Sequence, residues 1–323
     1  MSASPRPPGF VPAGTDPAAP LRLAVVGVGR VGAAVGAALV AAGHRVIAAC
    51  GSGPTSMARV ASVFPGVAFS DPVAVARQHP ELLLLAVPDD ALPSVAAAVA
   101  DHVGPGQVVA HLSGASGTGV LAPVVARGAG ALALHPVMTF TGGPADLTRL
   151  TAGISFGVTA DGAAAPLAGR LVADLGGRIE WVAEADRPLY HAAIAHGVNH
   201  LVTLVNDAMD VLRTAGVADP AALLRPIASA ALDNALASGD AALTGPVSRG
   251  DLGTVGGHTA ALAAAAGQVT PAYRALAGRT ARRAAAAGRL PWPVAEAVAE
   301  MVGADDTTPP ARADVSTGGS GPR

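Results

Sequence analysis

From Leu21 onward, short apolar runs alternate with Ala-rich stretches of helical period. LRLAVVG (21–27), HRVIAAC (44–50), ELLLLAV (81–87), GQVVAHLSG (106–114) and GALALHPV (130–137) each end in glycine or polar residues. GISFGVTA (153–160) and GGRIEWV (176–182) form a further pair, with a helical stretch, AAAPLAGRLVADL, between them. VAF (67–69) reads as a shorter strand. ELLLLAV is apolar at nearly every position, as a parallel strand buried on both faces requires. Alternation of strand and helix from about 20 to 184 predicts a doubly wound α/β sheet. After Ala185 the strand signal stops, and helices are predicted over 186–214, 219–238, 254–266, 271–287 and 291–302. The predicted organisation is a tail at 1–19, a dinucleotide-binding domain at 20–184, an all-helical domain at 185–302 and a second tail at 303–323.

Composition adds limits. Hydrophobic residues make up 51% of 323, enough for two cores, and aromatics only 3%, which favours close Ala-mediated helix packing. The Pro/Gly/Ser-rich ends read as disordered. The N-terminal one has no apolar stretch of signal-peptide length. No run is long enough to span a bilayer. A net charge of −2 offers no basic field to nucleic acid or to an anionic membrane. The single Cys50 reads as buried packing in a reducing compartment, so the expectation is a cytoplasmic protein. All 21 basic residues are Arg. Proton chemistry in this chain is therefore done without lysine.

Gly27, Gly29 and Gly32 form G-x-G-x-x-G between the first strand and the first helix. In that position the motif permits a tight turn, a close approach of pyrophosphate and close helix packing, and it aims a helix N-terminus at negative charge. Arg30 and Val31 belong to the same turn, and Val87 and Pro88 stand at the end of the third long strand. An NAD site carries Asp or Glu at the end of the second strand. Here the chain reads AACGSGPTSMAR, with Ser52, Thr55, Ser56 and Arg59 and no acid. That set suits a 2′-phosphate and hence NADP(H). The other reading makes the three hydroxyls turn and N-cap residues.

Ligands of such sheets bind beyond the carboxyl ends of the strands, which here carry Pro88, Asp89, Asp90, Ser113, Gly114, His135 and Pro136. LYHAAIAHGVNHL (189–201) adds His191, His196, Asn199 and His200. On a regular helix His191 and Asn199 lie about 80° apart on one broad face, with His196 and His200 on another. The H-x-x-x-H pair lacks the Glu and the third ligand of a zinc site, so no metal is expected and packing is the simpler role. ALTGPVSRGDLGTVGGH (242–258) reads as one loop before an Ala-rich helix. Arg249 is placed to clamp a carboxylate, with Thr244 and His258 lining the site. The competing reading is a helix start capped by Asp251 or Thr254.

These segments carry a resemblance. LHPVMTF, LYHAAIAHGVNHL and the 242–258 segment, following GVGRVG and AVPDD, resemble bacterial Rossmann-like proteins with a conserved C-terminal domain of unknown function, over about residues 20–285. That family is similar to the β-hydroxyacid dehydrogenases, ketopantoate reductases and prephenate dehydrogenases. The resemblance implies a helical domain like the C-terminal domain of 6-phosphogluconate dehydrogenase, a substrate held between the domains, and a homodimer. It also implies reduction of a small 2-oxo acid by NADPH, with ketopantoate the leading substrate.

Ketopantoate reductases use a helix lysine with an asparagine four positions later. Four back from Asn199 stands Ala195, so a histidine is the natural proton donor. The expectation is that His191 or His135 protonates the developing alkoxide, Asn199 and Ser113 orient the substrate and Arg249 holds its carboxylate. The competing readings are a dehydrogenase of a prephenate-like or imino substrate, a non-catalytic NADP-binding regulator and a deazaflavin-linked oxidoreductase.

Overall fold

The computed structural model describes residues 19–304 apart from 70 and 163; the predicted tails at 1–18 and beyond 304 lie outside the described residues. The chain divides into two compact units, residues 1–197 and 198–323.

The first unit is built on a sheet of β1 (Arg22–Val26), β2 (Arg45–Cys50), β3 (Leu82–Leu85), β4 (Val108–His111), β5 (Gly130–Pro136), β6 (Ser155–Ala160) and β7 (Arg178–Trp181). Its order is β2-β1-β3-β4-β5-β6-β7. All neighbours run parallel except β5 and β6. The expected strand at 67–69 is only a single parallel bridge, Ala68 to Ala49, outside the β2 edge. Three residues followed at once by the Asp71 helix start leave no room for a ladder.

The helices of this unit are α1 (Arg30–Ala41), α2 (Pro54–Val63), α3 (Pro72–Ala76), α4 (Leu92–Val99), α5 (Ala122–Val125), α6 (Ala145–Leu150), α7 (Ala165–Asp174) and α8 (Arg187–Ile194). They cover both faces of the sheet. Alternate residues of each buried strand feed two separate cores: Leu23, Val25, Leu82 and Leu84 face α1 and α7, while Ala24, Val26, Leu83 and Leu85 face α4. The period-2 alternation of side chains, with both faces apolar, is what makes these strands read as unbroken apolar runs.

The second unit is helical: α9 (His200–Thr214), α10 (Pro220–Ser238), α11 (Pro246–Arg249), α12 (Leu252–Ala265), α13 (Thr270–Ala286) and α14 (Trp292–Val302). Its core joins Val255, Ala277, Ala281, Ala284, Leu290, Ala295 and Val298 from α12 to α14. The alanines at 277, 281 and 284 recur at three and four residues along α13, on one face. α9 and α10 take almost no part: α9 has no buried residue and α10 buries only Pro220. Between these helices and α12–α13 lies an apolar groove of about 560 Å³.

Two local expectations are corrected. Residues 195–199 form a π-helical turn rather than α-helix. The wider turn breaks the 3.6-residue period, so the angular placement of His191 against Asn199, and of His196 beside His200, does not hold across it. The segment at 242–258 is not one loop. α11 occupies 246–249, and α12 begins at Leu252, with the Asp251 carboxylate accepting from the Thr254 amide at 3.1 Å. Thr254 and His258 therefore stand on a helix, which this cap starts.

Candidate active site

The turn after β1 is held from below. Gly27 and Val28 donate their amides to the Cys50 carbonyl at 2.9 and 3.2 Å, which ties the glycine turn to the end of β2. Gly27 has a φ of +92°, and a Cβ there would meet the Ala86 carbonyl at 2.5 Å. A Cβ on Gly32 would lie 2.3 Å from the Gly27 carbonyl, so α1 packs against the turn only with glycine there. Gly29 differs. Its backbone is ordinary and extended (φ −78°), and a Cβ there would meet nothing within 4 Å. The fold itself gives no steric reason for glycine at 29. The space beside it belongs to a cleft of about 760 Å³, whose walls include Arg30, Val31, Ser52, Arg59, Val87 and Pro88.

The first turn of α1 presents unpaired amides and the positive end of its dipole to this cleft. Ser56 Oγ and the Arg59 guanidinium each donate to the Val28 carbonyl at 3.2 Å, which holds α2 against the turn. The N-cap of α2 is Gly53, not one of the hydroxyls. Thr55 and Ser56 thus line the cleft from the first turn of α2. β2 ends in Cys50, and Gly51 follows it, with no acid. The Asp71 carboxylate in the same cleft accepts from the Ala74 amide and caps α3. Burial raises the Cys50 thiol to about 11, so it stays protonated and inert.

A second constellation lies at the carboxyl ends of β4 and β5. His135 Nδ1 stands 2.9 Å from the Tyr190 hydroxyl. The His135 and His191 rings meet edge to face, 6.0 Å between centroids. Both rings lean over Gly114, where a Cβ would meet His191 Cδ2 at 2.6 Å and His135 Nε2 at 3.0 Å. The Tyr190 hydroxyl likewise passes over Gly157, where a Cβ would fall 2.2 Å from it. α8 therefore docks against β5 and β6 only because 114 and 157 are glycine.

Arg187, the first residue of α8, is wholly buried. It donates to Thr159 Oγ1 at 2.8 Å, to the Gly157 and Ala133 carbonyls at 2.9 and 3.1 Å, and to the Ser113 carbonyl at 3.4 Å. Its guanidinium also lies over the Tyr190 ring, 5.8 Å from the centroid. Beneath β4, His111 Nε2 donates to the Gly117 carbonyl at 2.9 Å, and its Nδ1 accepts from the Ser113 amide at 3.2 Å. Both ring nitrogens are thereby assigned, and the ring is neutral. Burial holds His111 and His135 at about 4, well below the ordinary 6.5. For His135 the neighbouring His191 and Arg187 push in the same direction.

Of the residues predicted for substrate chemistry, the first unit brings His135, His191 and Ser113 together. Ser113 is buried, and its Oγ accepts from the Ser116 amide at 3.0 Å, closing a turn. Asn199, Thr244, Arg249 and His258 belong to the second unit, where all four are exposed. His258 Nδ1 stands 3.1 Å from the Tyr273 hydroxyl. Thr244 lines the apolar groove. Three residues of the first constellation escape a reading of the sequence: Tyr190, Arg187 and His111. The first two were findable, because they stand three apart on one helix and so share a face.

Two family models match the chain, one after the other. The family described as Rossmann-like domain matches residues 12–136. The family described as Domain of unknown function (DUF2520) matches residues 154–280. No curated protein matches the chain in sequence. Among solved structures, a Bacteroides fragilis protein assigned as an NADP oxidoreductase is similar over 81% of this chain and 98% of its own, at 18% identity and a TM-score of 0.67. A Streptomyces aurantiacus imine reductase is similar over 86% and 99%, at 19% identity and 0.57. Plasmodium falciparum pyrroline carboxylate reductase with NADP bound is similar over 87% and 98%, at 15% identity and 0.53.

Proposed function

From a chain that joins a Rossmann-like domain to the DUF2520 domain, we infer an NADPH-dependent oxidoreductase that reduces a small 2-oxo acid, ketopantoate first, to the 2-hydroxy acid. The observation that carries the dinucleotide half is Gly29. A glycine with open space where a side chain would be, at the N-terminus of α1, is explained by a group that must come close to the backbone there. Arg30, Arg59, Ser52 and Ser56 with no acid at the end of β2 favour the 2′-phosphate of NADP(H). The NADP named in two of the similar structures points the same way. When bound, the reduced nicotinamide supplies the hydride.

The chain's own residues then handle the substrate and its proton. His135, partly buried and neutral, offers a hydrogen bond. His191 beside it is the imidazole left to deliver a proton to the developing alkoxide. Ser113, Asn199, Thr244, Arg249 and His258 complete the assignment, with Arg249 the candidate for the carboxylate. The deciding experiment follows NADPH oxidation with ketopantoate and a panel of small 2-oxo acids, with NADH as the control. Turnover with NADPH supports the reading. Equal rates with NADH remove the NADP assignment, and silence across the panel removes the oxo acid.

An imino substrate is the second reading, favoured by the names of the imine and pyrroline carboxylate reductases among the similar structures. The protein is further proposed to be a homodimer through α9 and α10. Leu204, Leu223, Ile227, Leu232 and Leu236 expose 45–79% of their surface there, an apolar surface of the kind an association site presents. No helix of the described residues is long and apolar enough to cross a membrane.

A further inference from the structure

The imidazole of His135 can enter this site in two opposite roles. As the Nδ1–H tautomer it presents an Nε2 lone pair, which accepts a hydrogen bond. As the Nε2–H tautomer it presents a donor. The choice is made at Nδ1, whose partner is the Tyr190 hydroxyl at 2.9 Å. A phenol can donate or accept, so the pair alone does not decide, but its surroundings do. Among the described residues the Tyr190 hydroxyl has no second hydrogen-bond partner in the protein. Gly157, the residue beneath it, offers only Cα, and its carbonyl is taken by Arg187.

If His135 donated from Nδ1, the phenol hydrogen would have no acceptor among the described residues of the protein. If Tyr190 donates, both atoms of the contact are satisfied, and the ring hydrogen is on Nε2, which is left to donate to a ligand. The neighbouring charge keeps the ring neutral, so that one of the two tautomers is held. Arg187 and His191 both lie near His135 and disfavour a second proton on the ring, while Asp89 is the group that opposes them and His111 adds to them. Arg187 over the Tyr190 ring favours the phenol's donor role, although burial outweighs it and raises the hydroxyl above its ordinary value.

We propose that Tyr190 is a positioning residue that locks His135 as the Nε2–H tautomer, so that the site presents a hydrogen-bond donor and selects substrates whose reacting group is an oxygen acceptor. The selection follows from the sign of the hydrogen bond. A carbonyl oxygen accepts from Nε2–H, and so does the alkoxide it becomes. A protonated imine carries N–H where the carbonyl has lone pairs, and it would face Nε2–H donor to donor. The lock thus separates the oxo-acid reading from that of an imine bound in its protonated form, on the geometry of one side chain. The substrate half of this inference rests on the oxidoreductase reading above. The tautomer half does not.

The test is therefore made first without cofactor or substrate. In the full-length protein with ¹⁵N-labelled histidine, two-bond proton–nitrogen correlations report which ring nitrogen carries hydrogen, and a His135→Gln variant assigns the signal. The expected result is a single Nε2–H pattern for His135 across neutral pH, becoming a mixture of tautomers in Tyr190→Phe. A wild-type Nδ1–H or doubly protonated pattern overturns the proposal, as does an unchanged pattern in Tyr190→Phe.

The second arm compares ketopantoate with 1-pyrroline in the NADPH assay. Turnover of the oxo acid, with kcat for Tyr190→Phe reduced about tenfold or more and KM for NADPH unchanged, is the expected outcome. Turnover of the imine alone overturns the selection. If neither compound reacts while the NMR pattern stands, it is the oxo-acid reading that has failed and the tautomer lock survives.

Discussion

Single residues decide the chemistry, and each can be moved alone. His191→Ala removes the proposed donor and should lower kcat by about 10²–10⁴-fold, with NADPH affinity unchanged by fluorescence titration; wild-type turnover would take His191 out of the mechanism. The two glycines of the cofactor turn make a paired prediction. Gly32→Ala puts a Cβ 2.3 Å from the Gly27 carbonyl and should cost stability by about 1–3 kcal/mol. Gly29→Ala puts one into open space and should change the unfolding midpoint little, within about 1 kcal/mol for a cap position, while weakening NADPH binding. A Gly29→Ala protein that binds NADPH as tightly as wild type would sink the assignment of the cleft.

His111 and His135 add a pH dependence. Their folded-state values are depressed to about 4 from about 6.5. Above pH 6.5 both rings are neutral folded or unfolded, and their contribution to stability is whole. As pH falls from there toward 4 the unfolded chain takes up protons that the folded chain refuses, so the native state loses ground through that window. Thermal melts at pH 7 and pH 5 should show the drop. A flat profile over that interval would mean that the two rings protonate freely in the fold.

At the scale of the element, what could be read in advance followed period and punctuation. Seven strands and the long helices showed in apolar runs that stop at glycine or proline, because buried parallel strands and amphipathic helices each leave a periodic trace. Direction left none. β6 runs against β5, yet GISFGVTA alternates no differently from its parallel neighbours, since side-chain alternation is the same in both senses. The π-helical turn at 195–199 is equally silent, because it changes the hydrogen-bond step and not the residue types. The site was half legible for a similar reason. Histidines draw attention as chemistry, so His135 and His191 stood out, whereas Tyr190 and Arg187 matter through what they hold. Gly157 tests the same element: Gly157→Ala drives a Cβ into the Tyr190 hydroxyl and should lower activity with the sheet intact by circular dichroism.

On the whole-molecule scale the two units differ in how finished they are. The first closes two cores around its sheet, while the second leaves a helix pair of 15 and 19 residues with hardly a buried side chain. An apolar surface of that extent on Leu223, Ile227 and Leu236 is expected to be covered in solution. Sedimentation should find a species near twice 31.3 kDa, and Ile227→Asp with Leu236→Asp should shift it toward the single chain. A wild-type protein that sediments only as one chain would end the dimer assignment.

Arg187 has one further consequence. Its guanidinium is anchored on the carbonyls of Ala133 and Gly157, in β5 and β6, while its backbone begins α8. A helix pinned at its first residue to the middle of a sheet exchanges with that sheet. In a hydrogen–deuterium experiment the amides of α8 should open at the slow rate of β5 and β6 rather than at that of exposed α9. Arg187→Met, which keeps the bulk and loses the anchor, should release α8 while the strands stay protected. The histidine that carries the proposed proton would then sit on the least settled part of its unit, and catalysis would fail from motion before it failed from unfolding.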